Sequence, residues 1–169
     1  MKAPHNERRR FPRTDINMTI RRGPLGLRAY LVTSAFVFVT ATSVTDVLAR
    51  MEFSATSLES AIVAHFKYTG IIHYIALIAP FLLVSLICWR LDRFTRHRIS
   101  LPIFFLSICV LGYFYAGGFW GTQAALHQGR WTAASLSVGL LPFIGLAIVF
   151  GSACLAALAS MLDRRRPHE

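Results

Sequence analysis

Long stretches of this chain carry no charge. No Asp, Glu, Lys or Arg occurs between Lys67 and Arg90, between Arg98 and Arg130, or between Arg130 and Asp163. Only 15% of its residues are charged, against about a quarter in an ordinary soluble domain. Such a chain has too little charge, too unevenly placed, to clothe a water-soluble globule. Acids are the scarcer sign, 8 against 18 Lys and Arg, for a net charge of +10. Cysteine is limited to Cys88, Cys109 and Cys154, one in each of three apolar runs, and no CxxC pair exists. That excludes thiol–disulfide exchange of the dithiol kind. The chain also lacks a GxSxG elbow, a glycine-rich phosphate loop, an HExxH pair and the Glu-x-x-His of di-iron bundles. Its arginine-rich ends have no interleaved aromatics or binding motif, so nucleic acid is not an expected partner.

What the chain does have is hydrophobic length. Residues 29–49, 69–89, 101–121 and 133–161 form four runs rich enough in apolar side chains to cross about 30 Å of hydrocarbon at 1.5 Å per residue. The expected fold is all-α: a four-transmembrane-helix bundle, residues 29–161, between a disordered basic tail (1–28) and a short basic tail (162–169). A cleaved signal peptide would have a short leader and a shorter core than the first run offers, so that run reads as a retained span.

Charge sets the orientation. Lys2, Arg8, Arg9, Arg10, Arg13, Arg21, Arg22 and Arg28 precede the first run. Arg90, Arg93, Arg96 and Arg98 separate runs two and three, and Arg164, Arg165 and Arg166 follow the fourth. The other connections hold only Arg50, Lys67 and Arg130. By the positive-inside rule both termini are cytoplasmic, and the basic ends attract anionic lipid by about 1 kcal/mol per residue. Tyr30 and Trp89 would mark the inner interface, Trp120 and Trp131 the outer one. The excess of Arg over Lys is typical of a GC-rich bacterial genome, hence an inner membrane.

Between the first two runs, Thr56-Ser-Leu-Glu59 has the form of a capping box. It opens a short amphipathic helix in which Leu58, Ile62 and Phe66 recur at i, i+4, i+8, with Ala61 and His65 beside them. This helix is expected at the outer membrane surface, or docked on a partner. Pro80 and Pro142 interrupt the second and fourth runs and are expected to kink them. Gly112 and Ala116, and the GxxxG of Gly117 and Gly121, present small faces to other helices, either of this bundle or of a partner.

The sharpest local feature is Thr40-Ala-Thr-Ser-Val-Thr-Asp-Val-Leu-Ala-Arg50, which closes the first run. Asp46 is followed at i+4 by Arg50, and near a helix end both would reach headgroup water as an ion pair. The alternative is an ion-coupling or proton site, since an acid inside a span is costly unless it works. His65, His73 and His127 share that side of the membrane and are weak candidates for metal or haem. A hydrogen bond from His73 to Asp46 would tie the first two spans together. The aromatic third run (Phe104, Phe105, Tyr113, Phe114, Tyr115, Phe119, Trp120) could line a groove for quinone, pigment or lipid; no cofactor is required by any motif.

These readings rank three functions. First is a small non-enzymatic membrane subunit that binds and stabilises a larger membrane complex, contacting other integral membrane proteins or its own copies through the Leu58, Ile62, Phe66 stripe and the glycine faces. Second is a small oligomeric transporter or channel using Asp46. Third is a metal- or haem-binding redox protein using the outer histidines.

Overall fold

The computed structural model describes residues 26–68, 70–94 and 99–165. Four of its helices are long and apolar enough to cross a membrane: Leu27–Ser54, Ile72–Phe94, Ser100–His127 and Trp131–Leu162. The chain is an all-α membrane bundle. Along it run α1 (Leu27–Val39), a π-helical segment Thr40–Val44, α2 (Thr45–Ser54), α3 (Leu58–Tyr68), α4 (Ile71–Phe94), α5 (Ser100–His127), α6 (Trp131–Gly139) and α7 (Leu141–Arg165). The expected disorder of residues 1–28 lies almost wholly outside the described residues. Of the 162–169 tail, the part to Arg165 continues α7 and the rest lies outside them.

Packing centres on α5, which touches α1, the π segment, α2, α4, α6 and α7; α4 also packs on α1 and α7. Aromatic edges fill the middle. Phe38 meets Phe81 at 5.4 Å between centroids, Phe81 meets Tyr115 at 5.1 Å, and Tyr30 meets Phe104 at 4.8 Å, all T-shaped. Such edge-to-face pairs add roughly 0.5–1.5 kcal/mol each beyond area burial. Tyr30 is thus buried beneath the bundle surface, and its hydroxyl lies 3.3 Å from Ser100 Oγ; it is not the lipid-facing anchor its position suggested. Hydroxyl pairs cross between helices at Ser34–Ser85 (2.5 Å) and Ser107–Ser152 (2.7 Å). In lipid these replace the hydrophobic force that joins soluble helices.

Two span boundaries differ from the sequence expectation, and each has a local cause. The first span does not stop near residue 49 but continues to Ser54. There Ala55 turns into the left-handed region (φ 48°), and Thr56 Oγ1 donates to the Arg50 carbonyl at 3.3 Å. Thr56 therefore closes α2, and the cap of α3 is the next residue: the Ser60 amide donates to Ser57 Oγ at 3.4 Å. In the fourth span the α-helix is interrupted at a single residue, Leu140, which stays in the right-handed region with its amide bonded to the Leu136 carbonyl and its own carbonyl accepting from Ile144. α6 ends at Gly139, Leu140 makes a turn, and Pro142 occupies the first turn of α7, where its missing N–H costs nothing. Pro80, in contrast, stays inside a continuous α4.

The glycines that permit close approach are not those of the GxxxG. A methyl on Gly117, Gly121 or Gly151 would meet nothing within 4 Å, whereas one on Gly112 would press Val37 at 3.1 Å and one on Gly118 would strike Leu141 at 2.8 Å. The tightest point is Gly145, where a Cβ would lie 2.5 Å from Pro80 Cγ and 2.9 Å from the Tyr115 hydroxyl. A proline ring has little room to yield. We therefore expect Gly145→Ala to destabilise the bundle by about 1–3 kcal/mol, read as earlier unfolding in a dodecyl sulfate titration, while Gly117→Ala leaves the midpoint unchanged.

Candidate functional site

Asp46 is buried at 2% exposure, with its carboxylate fully engaged. The helix runs on to Ser54, so Asp46 lies about 12 Å of helix axis below that end, and α3 folds back against α2. Asp46 is therefore not at the helix terminus where the sequence reading put it. The ion pair itself forms, Arg50 Nε donating to Asp46 Oδ2 at 2.8 Å, but inside the bundle.

The geometry that turns Asp46 inward is the π segment. Tyr30, Ser34, Phe38, Thr42 and Asp46 recur every four residues, and all five are buried. In an unbroken α-helix each step of four drifts about 40°, so such a column would wind off the core face. A π turn accommodates one extra residue and sets the following helix back by about 100°. That reset carries the column on to Asp46. The hydroxyls of this stretch accompany it: Thr40 Oγ1 donates to the Phe36 carbonyl at 2.9 Å, Thr42 Oγ1 to Phe38 at 2.8 Å, and Thr45 Oγ1 to Thr40 at 3.1 Å. Threonine side chains thus bond carbonyls in and just before the loosened turn.

Two further elements converge on the carboxylate, and two more on the histidine beside it. His65 of α3, itself fully buried, places Nδ1 2.8 Å from Asp46 Oδ2. From α5, Gln123 Nε2 donates to Asp46 Oδ1 at 2.7 Å. A carboxylate accepts, so the His65 proton sits on Nδ1 and Nε2 faces two hydroxyls: Ser43 Oγ at 3.1 Å and the Tyr74 hydroxyl of α4, in closer contact still. Ser43 and Tyr74 are 3.5 Å apart. Asp46, His65, Ser43, Tyr74, Gln123 and Arg50 therefore form one connected network from α2, α3, α4, α5 and the π segment. Beside it lies a cavity of about 390 Å³ whose polar wall includes Asp46, Arg50, His73, Thr122, Gln123 and Ser135.

The expected tie between Asp46 and His73 is made by His65 instead. The amphipathic stripe had placed His65 merely alongside Leu58, Ile62 and Phe66, yet those three point outward and exposed while Ala61 and His65 face the bundle. His73 is exposed on the cavity wall, and His127 sits near the Phe53 ring, 6.0 Å between centroids. Among the described residues no three His, Cys, Asp or Glu side chains converge in a way that could hold a metal ion. Gln123 had no sequence signal beyond being an amide within an apolar run, and Tyr74 none beyond its aromaticity.

The aromatic third span divides by face. Phe104, Tyr115 and Phe119 are in the core, whereas Phe105, Tyr113, Phe114 and Trp120 are exposed. Tyr113 also borders a shallow, almost wholly apolar groove of about 300 Å³ between α1 and α5, with Phe36, Val37, Gly112 and Ala116. Gly112 and Ala116 thus face this chain's own first span.

Comparison with known proteins finds no family model, no curated sequence and no solved structure that matches this chain. The site stands on its own geometry.

Removing the Asp46 side chain would leave His65, Arg50 and Gln123 without their common acceptor. We expect Asp46→Ala to cost about 3–5 kcal/mol, the range for breaking a buried ion pair from one side, and Asp46→Asn to cost less because it keeps an acceptor oxygen. Unfolding midpoints of the two variants in mixed detergent measure the difference. Deleting Val44 removes the extra residue of the π turn, and we expect the same loss as Asp46→Ala with every side chain of the network still present.

Proposed function

We propose that this chain is a small transporter or channel for a proton or small cation, with Asp46 as the coupling group. A single observation carries the reading: an ionisable carboxylate, 2% exposed and about two turns inside the end of its helix, borders a cavity whose wall also carries Arg50, His73 and Gln123. Ionisable groups within spans are expensive and mark ion or proton pathways by default. Arg50 balances the charge of Asp46 at rest, and the His65 ring beside it offers a nitrogen on either side through which a proton can be passed. No catalytic role follows from these residues, so the protein is read as a non-enzyme. With both termini placed in the cytoplasm by the arginine bias, the cavity opens to the outer side of the membrane.

Purified protein in liposomes tests this. An imposed proton or cation gradient should collapse faster than in empty vesicles, and Asp46→Asn should return the rate to that of empty vesicles while eluting as a single species in detergent. Equal flux from the wild type and Asp46→Asn ends the proposal.

A second reading keeps the expectation of a subunit in a larger membrane assembly. Its support is the exposed face of α5, where Gly117 and Trp120 look outward, together with the outward stripe of Leu58, Ile62 and Phe66. The partner would be another integral membrane protein or a second copy. Extraction from its native membrane in mild detergent should then give a particle larger than one chain; a monomer without companions removes this reading.

A further inference from the structure

The column Tyr30, Ser34, Phe38, Thr42, Asp46 faces a second one on α4, where Tyr74, Leu77, Phe81, Ser85 and Cys88 point into the same interior. Read together from the α3 end, the two faces run polar, aromatic, polar. The first polar island is the Asp46–His65–Ser43–Tyr74–Gln123 network. The second is the Ser34–Ser85 hydroxyl pair, with Ser85 Oγ also donating to the Phe81 carbonyl at 2.9 Å and to the Tyr30 carbonyl at 3.4 Å. Tyr30 bridges to a third: its hydroxyl lies 3.3 Å from Ser100 Oγ, which donates to Asp92 Oδ1 at 2.9 Å. Thus a carboxylate stands at each end of the interior, Asp46 near α3 and Asp92 near the opposite end of α4.

Between the first two islands sits an aromatic plug. Phe38 and Phe81 meet edge to face at 5.4 Å, and Phe38 also contacts the Tyr74 ring at 6.2 Å. From Ser34 to Thr42 the plug spans about 12 Å of helix axis. Against it lies the Tyr115 hydroxyl, a buried polar atom that meets no hydrogen-bonding group among the described residues. Its ring packs on Phe81 at 5.1 Å, and the hydroxyl points to Pro80 and Gly145, the thinnest part of α7. An unsatisfied buried hydroxyl is uncommon and needs a reason. A buried hydroxyl without a partner is a group that a water entering between Phe81 and α7 would satisfy once the close Pro80–Gly145 contact parts.

We infer that this interior is a proton path between Asp46 and Asp92, gated by the Phe38–Phe81 pair, with the Tyr115 hydroxyl as the foothold for water when the gate opens. This rests on the reading of Asp46 as a transport group and names its cargo. The relay step at His65 balances. A proton arriving through the Ser43 or Tyr74 hydroxyl binds Nε2, the Nδ1–H bond breaks, and that proton passes to Asp46 Oδ2. Asp46 then releases it to the cavity, and the ring turns over so that its Nε2–H faces Asp46 and its bare Nδ1 faces the hydroxyls, ready for the next proton. The reverse order carries a proton inward. No oxidant, reductant or second substrate is needed; the gradient supplies the drive. The charged and titratable groups around the path are Arg50, His73 and Tyr74 at the Asp46 end, and Arg28, Arg90 and Arg93 on the helices that carry Tyr30 and Asp92.

The test uses liposomes with an internal pH-sensitive dye, a potassium diffusion potential of either sign, and parallel assays with sodium and potassium as the only permeant cations. Proton flux should be present in the wild type and be lost in Asp46→Asn, in Asp92→Asn and in the isosteric pair Ser34→Ala and Ser85→Ala. Phe38→Ala should raise it several-fold; where that variant does not fold, Phe81→Leu makes the same test with a smaller change. Proton flux that ignores Asp92→Asn overturns the path. A flux unchanged when either phenylalanine is trimmed overturns the gate. Asp46-dependent sodium or potassium flux without proton flux overturns this inference and leaves the transporter reading in place. Absence of any flux removes both.

Discussion

A carboxylate that three other side chains reach for, inside a membrane bundle, organises everything at one end of this protein. Asp46 accepts from Arg50, His65 and Gln123, and His65 hands the connection on to Ser43 and Tyr74. Each of these comes from a different part of the chain, so satisfying a single charge fixes the relative placement of α2, α3, α4 and α5. In hydrocarbon there is no water to stand in for a missing partner, and an unpaired group costs several kcal/mol. The short helix α3 owes its position to this: it presents His65 inward and leaves Leu58, Ile62 and Phe66 outside. An apolar stripe turned outward is unusual on a soluble helix and natural on one that meets lipid.

The backbone irregularity in the first span follows from the same requirement. A regular α-helix cannot keep residues spaced by four on one face for four steps, yet Tyr30, Ser34, Phe38, Thr42 and Asp46 all stay buried. The π segment is the geometric solution, and threonines on either side keep nearby carbonyls bonded. This explains why the polar stretch that ends the first apolar run is rich in hydroxyls. They mark a change of helical pitch inside a helix that runs on to Ser54.

Much of the architecture was legible in composition. Runs without Asp, Glu, Lys or Arg mark the four spans, and their helical state follows because only helices and closed barrels satisfy a backbone in lipid. The span ends were less legible, because Ser54, Ala55 and Thr56 carry no apolar signal and their role is capping. The site was half visible. Asp46 and Arg50 stood out by charge, and His65 by residue type, but hydropathy could not say which histidine turns inward. Gln123 and Tyr74 meet Asp46 and His65 from 77 and 9 residues away, and such pairings are fixed by packing alone. The glycine spacing was legible only as far as the existence of small faces. Spacing identifies a small face without saying what lies opposite, and Gly145, which does lie opposite a neighbouring ring, belongs to no GxxxG.

The break at Leu140 between α6 and α7 has a further meaning for how the bundle forms. α6 is held to α5 by their turn at Gly129 and by packing along its length, with Thr122 Oγ1 reaching the Ala134 carbonyl at 3.4 Å. α7 is held instead by Gly145 against Pro80 and by Ser152 against Ser107. The fourth crossing is therefore anchored in two parts, the first on α5 and the second on α4 and α5 together, so that a change at the Gly145–Pro80 contact leaves the hold of α6 on α5 in place.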